Sequence, residues 1–128
     1  MKINSNKFPD ELILKDGGMR GDSRLFVVER NYRYMINAET IIMVPKGFIT
    51  DGASIPRLFW NILQPYGPYF PAALIHDYLY SKDNVYKVSR EIADVIFLNG
   101  MKDCGVGFFQ RTMIYRAVRM CGWMARKV

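Results

Sequence analysis

His76 is the only histidine among 128 residues, and it sits beside an acid in the run Ala73-Leu74-Ile75-His76-Asp77-Tyr78-Leu79-Tyr80. Histidine ordinarily titrates near neutral pH, so a positioned imidazole serves as a general base once a carboxylate orients its second ring nitrogen. On a helix, consecutive side chains diverge by about 100°, which keeps Asp77 from orienting its own neighbour. Ala73, His76, Asp77 and Tyr80 share one helical stripe by their three- and four-residue spacing, and the small Ala73 leaves room one turn below the ring. The orienting acid must therefore come from elsewhere, and Asp94 is the first candidate. It lies among Ile92, Ala93, Val95, Ile96, Phe97, Leu98 and Met101, a helix that reads as apolar on every face and so as buried on more than one. A buried carboxylate needs a partner, and those weighed are His76, Arg57, Arg90 or a metal ion. Asp51, on the tight turn Thr50-Asp51-Gly52-Ala53-Ser54, is a third acid.

Two readings follow. In one, the chain is a small hydrolase with His76 as base, Asp94 or Asp51 as orienting acid and Ser54 lining the site. Arg57, Trp60, Tyr66, Tyr69 and Tyr80 would form its binding walls around a mouth made by residues 51–57 and 64–69. Asp51, Asp77 and Asp94 would supply oxygens for a calcium or magnesium ion, since hard cations take carboxylates. In the other, His76 and Asp94 form a polar tie between elements, and the chain works by binding a partner. Access separates the two: a tie is closed off, whereas a catalytic pair opens onto a pocket. Several other chemistries lack their residues. Cys104, Cys121 and His76 are too few and too scattered for structural zinc, a histidine-rich phosphohydrolase centre needs more than one histidine, and neither a phosphate-binding loop nor a Gly-x-Ser-x-Gly elbow occurs.

The elements that must position these residues read as a sheet followed by helices. Strands are expected over the run 11–14, closed by the turn signal Asp16-Gly17-Gly18, and over 24–28, 32–36, 40–44 and 48–50. Tyr32, Tyr34 and Ile36 alternate with Arg33 and Met35. A short helix is expected from an N-cap at Ser54, with Pro56 in its first turn, to Leu63. A second runs from near Pro71 to Ser81, a third from an N-cap at Ser89 to Gly105 or Gly107, and a fourth from Phe108 to the C-terminus. Met113, Ala117, Met120, Cys121 and Met124 form a stripe on that last helix, expected to pack inward while Arg111, Arg119 and Arg126 stay wet. The predicted fold is one α+β domain over 1–128, strand-rich over 11–50 and helical over 54–128, with antiparallel hairpins packed on about four helices.

At this length a chain buries a real core, and 50% hydrophobic and 14% aromatic residues are far from a disordered composition. Apolar runs fall short of the roughly 20 residues that span a bilayer, and no secretory h-region opens the sequence. Two cysteines do not make a disulfide scaffold, so the expected compartment is a reducing cytosol. The net charge of +6 is unevenly placed. Residues 1–104 carry thirteen basic and twelve acidic side chains, whereas from Gly105 onward Arg111, Arg116, Arg119, Arg126 and Lys127 stand with no acid at all. Such a helix suits nucleic acid, anionic lipid or an acidic partner, when it is not simply solvated.

Three linked motifs carry a resemblance: Val44-Pro45-Lys46-Gly47-Phe48-Ile49-Thr50-Asp51-Gly52-Ala53-Ser54-Ile55-Pro56-Arg57, then His76-Asp77-Tyr78-Leu79-Tyr80, then Arg90-Glu91-Ile92-Ala93-Asp94. Together they resemble a domain-of-unknown-function family of small tailed-phage and prophage proteins, over residues 25 to 122. The resemblance implies a phage or prophage origin, and hence a phage or host protein as the bound partner and a location in the cytoplasm of a bacterial host or on the virion. It places the family's signature polar positions on Asp51, Ser54, Arg57, His76, Asp77 and Asp94, and it implies no reaction. A second, local likeness, His-Asp-x-x-Tyr at His76-Asp77-Tyr78-Leu79-Tyr80, is similar to the helix of secreted phospholipases A2, which implies His76 activating water and Asp77 binding calcium. The disulfide frame and glycine-rich calcium loop of those enzymes are missing here.

Overall fold

Alternation builds the first sheet elements. In β3 (Tyr32–Met35) and β4 (Ile41–Val44), Tyr32, Tyr34, Ile42 and Val44 are buried while Arg33, Ile41 and Met43 face outward, the period-2 pattern of strands with one covered face. The two pair antiparallel, Tyr32 opposite Val44 and Tyr34 opposite Ile42. Phe8 stacks on Tyr34 with ring centroids 4.5 Å apart. This computed structural model describes residues 6–21, 23–50 and 68–125. The helix expected over 54–63 lies outside the described residues, and three helices lie within them.

The strands form two sheets, where the sequence suggested one. A three-stranded sheet runs in the order β1 (Leu14–Arg20), β2 (Ser23–Val28), β5 (Ile49–Thr50), and β3 and β4 form a separate pair. The expected stop at Asp16-Gly17-Gly18 is instead the inside of β1. There the pairing register shifts between Asp16 and Met19, Gly18 adopts φ 89°, and its N–H donates to Asp16 Oδ1 at 2.8 Å. These residues form a bulge, which absorbs extra residues without ending the strand. The chain reverses later, between the paired Arg20 and Ser23, through Gly21 at φ 60°.

The helices are α1 (Phe70–Tyr80), α2 (Arg90–Asp103) and α3 (Phe108–Ala125). Pro71 occupies the first turn of α1, where its missing N–H leaves no bond unmade. Every residue of α1 is buried. It is therefore α1, not α2, that is covered all round; α2 buries Ala93, Asp94, Phe97, Gly100 and Met101 while Ile92 and Val95 face solvent. The end of α1 is closed by side chains: Asn84 Nδ2 donates to the carbonyls of Leu79 (3.0 Å) and Ser81 (2.9 Å), and its Oδ1 accepts from the N–H groups of Tyr86 and Lys87. Such partners satisfy carbonyls that a helix end leaves open. Ser89 caps α2 as expected, its side chain accepting from the Ile92 N–H at 3.2 Å.

A close fit brings α1 and α2 together. A Cβ placed on Gly100 would lie 3.1 Å from the Ala72 Cβ, so α1 and α2 cross where both carry minimal side chains. On α3 the buried stripe is Ile114, Ala117 and Val118. The methionine stripe expected there is rotated from the true one: Ala117 is buried and Met113 partly so, but Met120 is 72% exposed. Ile114 and Val118 join Phe97 and Met101 of α2 in one core cluster, and the side chains of Cys121 and Met124 lie outside the described ones.

Candidate functional site

Three helices deliver four polar side chains to one point. Asp94, on the buried face of α2, is fully enclosed, and His76 on α1 is 1% exposed. His76 Nε2 lies 2.7 Å from Asp94 Oδ1. Tyr80, one turn further along α1, donates its hydroxyl to the same oxygen at 2.5 Å. From α3, Arg119 Nη1 donates to Asp94 Oδ2 at 2.7 Å. The imidazole is held flat: it stacks on Phe97 with centroids 4.5 Å apart and lies 4.2 Å from the Tyr80 ring.

The electrostatics follow from this geometry. Burial by itself pushes the Asp94 carboxyl up, but hydrogen bonds from His76, Tyr80 and Arg119 outweigh it and hold the group below the usual carboxylate range. Burial, and then the bond to the Asp94 carboxylate, raise the Tyr80 phenol above its ordinary value. The carboxylate is thus the charged hub of the cluster, and the phenol stays protonated to donate to it. His76 Nδ1 and the Tyr69 hydroxyl are both buried without a hydrogen-bond partner among the described residues.

Residues 26–118 match the model of a family described as a protein of unknown function, DUF1353. The chain belongs to that family. Among curated proteins, an "Uncharacterized protein y4jT" of Sinorhizobium fredii (strain NBRC 101917 / NGR234) is 39% identical over 83 residues. That alignment covers 62% of this chain but only 23% of the relative's length. No solved structure matches the chain.

Of the residues singled out from sequence in this DUF1353 chain, the fold brings together His76, Asp94 and Tyr80. Tyr80 was expected to line a binding wall and instead donates within the cluster. Asp77 is buried on α1, about 100° round the helix from His76. Tyr69, expected at an open mouth, is fully buried at the N-cap of α1. Asp51, Ser54, Arg57, Trp60 and Tyr66 lie outside the described residues, as do Arg126 and Lys127. Arg119 was expected to be wet; its side chain is 32% exposed and paired with Asp94. Arg111 also turns back, donating to the Val106 carbonyl at 3.0 Å with its guanidinium 5.3 Å from the Phe108 ring centre.

Arg119 is the member of the cluster that sequence reasoning missed, having been set only among the basic residues that could meet nucleic acid. Its signal was that Asp94 required a partner and that Arg119 adjoins Ala117 on the stripe expected to pack inward. Asp94 fits a divalent cation poorly. Its two oxygens already accept three donors, one of them cationic, whereas calcium or magnesium needs about six oxygen ligands. Among the described residues no three His, Cys, Asp or Glu side chains cluster for a metal. Burial pushes the Cys104 thiol up to about 12, which leaves it protonated and a poor nucleophile. No helix of the described residues is long and apolar enough to cross a membrane.

Proposed function

We propose that this chain is a non-catalytic accessory domain that acts by binding a partner, a phage or host component, and that the His76–Asp94 cluster is an internal tie joining three helices. The observation that carries this reading is closure. A general base must reach the proton it abstracts within hydrogen-bonding distance, and here the base is 1% exposed and its acid fully enclosed. The carboxylate spends its acceptor positions on donors from α1 and α3, which is what holding helices together requires. The phage or host identity of the partner rests on the three linked motifs and their likeness to phage and prophage proteins.

A second reading, a small hydrolase with His76 as base, is favoured by one feature. With Nε2 turned to Asp94, His76 Nδ1 has no hydrogen-bond partner among the described residues, and a carboxylate-oriented imidazole with its second nitrogen open is how a general base is built. Replacing His76 by Asn shortens the side chain away from Asp94 and decides between the two. Under the first reading the variant unfolds more easily by about 1–3 kcal/mol, the scale for stranding a buried polar partner, and calcium, magnesium or manganese leaves the wild-type melting temperature unchanged. A variant as stable as wild type, with a wild-type melting point raised by one of these cations, would overturn the first reading in favour of the enzyme.

A further inference from the structure

The outward face of α3 carries a feature that the internal tie does not use. Phe108, Phe109 and Met120 are 71%, 78% and 72% exposed. Phe109, Arg116 and Met120 lie along one line of the helix by their seven- and four-residue spacing, on the side opposite Val118 and Ile114, which enter the core. The two phenylalanines open the helix just after the exposed Gly105 and Gly107. The Arg111 guanidinium lies over the Phe108 ring, and Arg116 is exposed between the aromatic pair and the methionine. From Gly105 onward the chain carries five basic residues and no acid.

We infer that this face docks on an anionic lipid bilayer, with Phe108 and Phe109 entering the headgroup boundary and the exposed Arg116 meeting lipid phosphates. The inference names the partner of the binding domain proposed above and rests on that reading. Two features select a bilayer. Exposed aromatic rings beside a cation suit a soft interface into which they can sink. Charge complementarity selects an anionic surface. It also disfavours a second copy, because a two-fold pairing of this face would set Arg116 and the other basic groups of one molecule against those of the next.

The test is co-sedimentation of the full chain with phosphatidylcholine vesicles, with or without phosphatidylglycerol, at low and at high salt. The expected result is binding to the anionic vesicles, weakened by salt. Phe108→Ser with Phe109→Ser should weaken it roughly tenfold or more, as expected when two buried aromatics are lost, and Arg116→Glu should weaken it as well. Both variants should melt like wild type because the altered side chains are exposed; Met120→Ser serves as an independent variant should the double one fold poorly. Absence of binding to anionic vesicles, equal binding to neutral ones, or wild-type binding by the variants would overturn the inference. So would concentration-dependent dimerisation abolished by the phenylalanine changes, which would assign the face to a second copy. Each of these failures leaves the internal tie standing, since that is read from unfolding and not from vesicles.

Discussion

Replacing Asp94 by Asn removes the charge at the hub while nearly preserving its shape. One amide oxygen can still accept from His76 and Tyr80 (2.7 and 2.5 Å in the wild type), but the new NH2 group then faces Arg119 Nη1, donor against donor at 2.7 Å. If the amide flips, it meets His76 and Tyr80 instead. Either way at least one buried donor is stranded. Hydrogen bonds to an ionised group contribute about 1.5–3 kcal/mol each, but three on one carboxylate do not add. The relevant scale is that of breaking a buried pair by removing one partner, about 3–5 kcal/mol, a large share of the roughly 5–15 kcal/mol of a whole domain.

Urea unfolding followed by circular dichroism reads this directly. With a slope of about 1–3 kcal/mol per molar urea for a small domain, a loss of about 4 kcal/mol moves the midpoint by about 2 M. A pH series adds a second check with a defined sign. The folded-state pKa of Asp94 is lowered from an ordinary 3.8, so below that value the unfolded chain binds the extra proton first. The stabilisation is complete above the unfolded pKa and is lost as pH falls through the folded one. Wild type should therefore lose stability on acidification from about pH 4 downward, and Asp94→Asn should show a shallower acid limb. A variant within about 1 kcal/mol of wild type, with an unchanged acid limb, would refute the reasoning.

Three further outcomes are expected. Tyr80→Phe should cost about 1–2 kcal/mol in urea unfolding; because the folded-state phenol pKa is raised, its stabilisation is present below the unfolded value and lost as pH rises, so the variant should show a shallower alkaline limb. Gly100→Val should cost about 1–3 kcal/mol by overpacking, since even a bare Cβ there would lie 3.1 Å from Ala72, and a wild-type melting temperature would contradict the α1–α2 crossing described above. Truncation after Gly107 should abolish cooperative unfolding, because it removes Ile114 and Val118 from the core and Arg119 from Asp94; a folded, soluble product would show that α3 is dispensable.

Much of this arrangement was legible in the residues. Period-2 alternation identified β3 and its inward tyrosines, Ser89 and Pro71 marked helix starts, and the apolar surroundings of Asp94 showed that it is buried and has to find a partner. His76 was one of several partners weighed, beside Arg57, Arg90 and a metal ion, and the packing of α1 on α2 selects it. The misreadings share a physical cause. A bulge and a turn both use Asp-Gly-Gly, and only pairing with β2 tells them apart. The stripe on α3 was read from flexible methionines, whereas the neighbouring β-branched Ile114 and Val118 occupy the core, a rotation of one helical position. Arg119 was set among the solvated arginines because a basic helix is usually wet, and the chain-distant acid that claims it appears only when α2 and α3 pack.

The central claim, that His76 and Asp94 hold the fold and do not carry a reaction, is tested most directly by a double-mutant cycle in urea unfolding. His76→Ala, Asp94→Ala and the double variant isolate the energy of the pair from that of its surroundings. A buried, hydrogen-bonded pair at 2.7 Å should give a coupling of about 1.5–3 kcal/mol, with both single variants less stable than wild type. A coupling below about 0.5 kcal/mol, or a His76→Ala protein as stable as wild type or more so, would contradict the account.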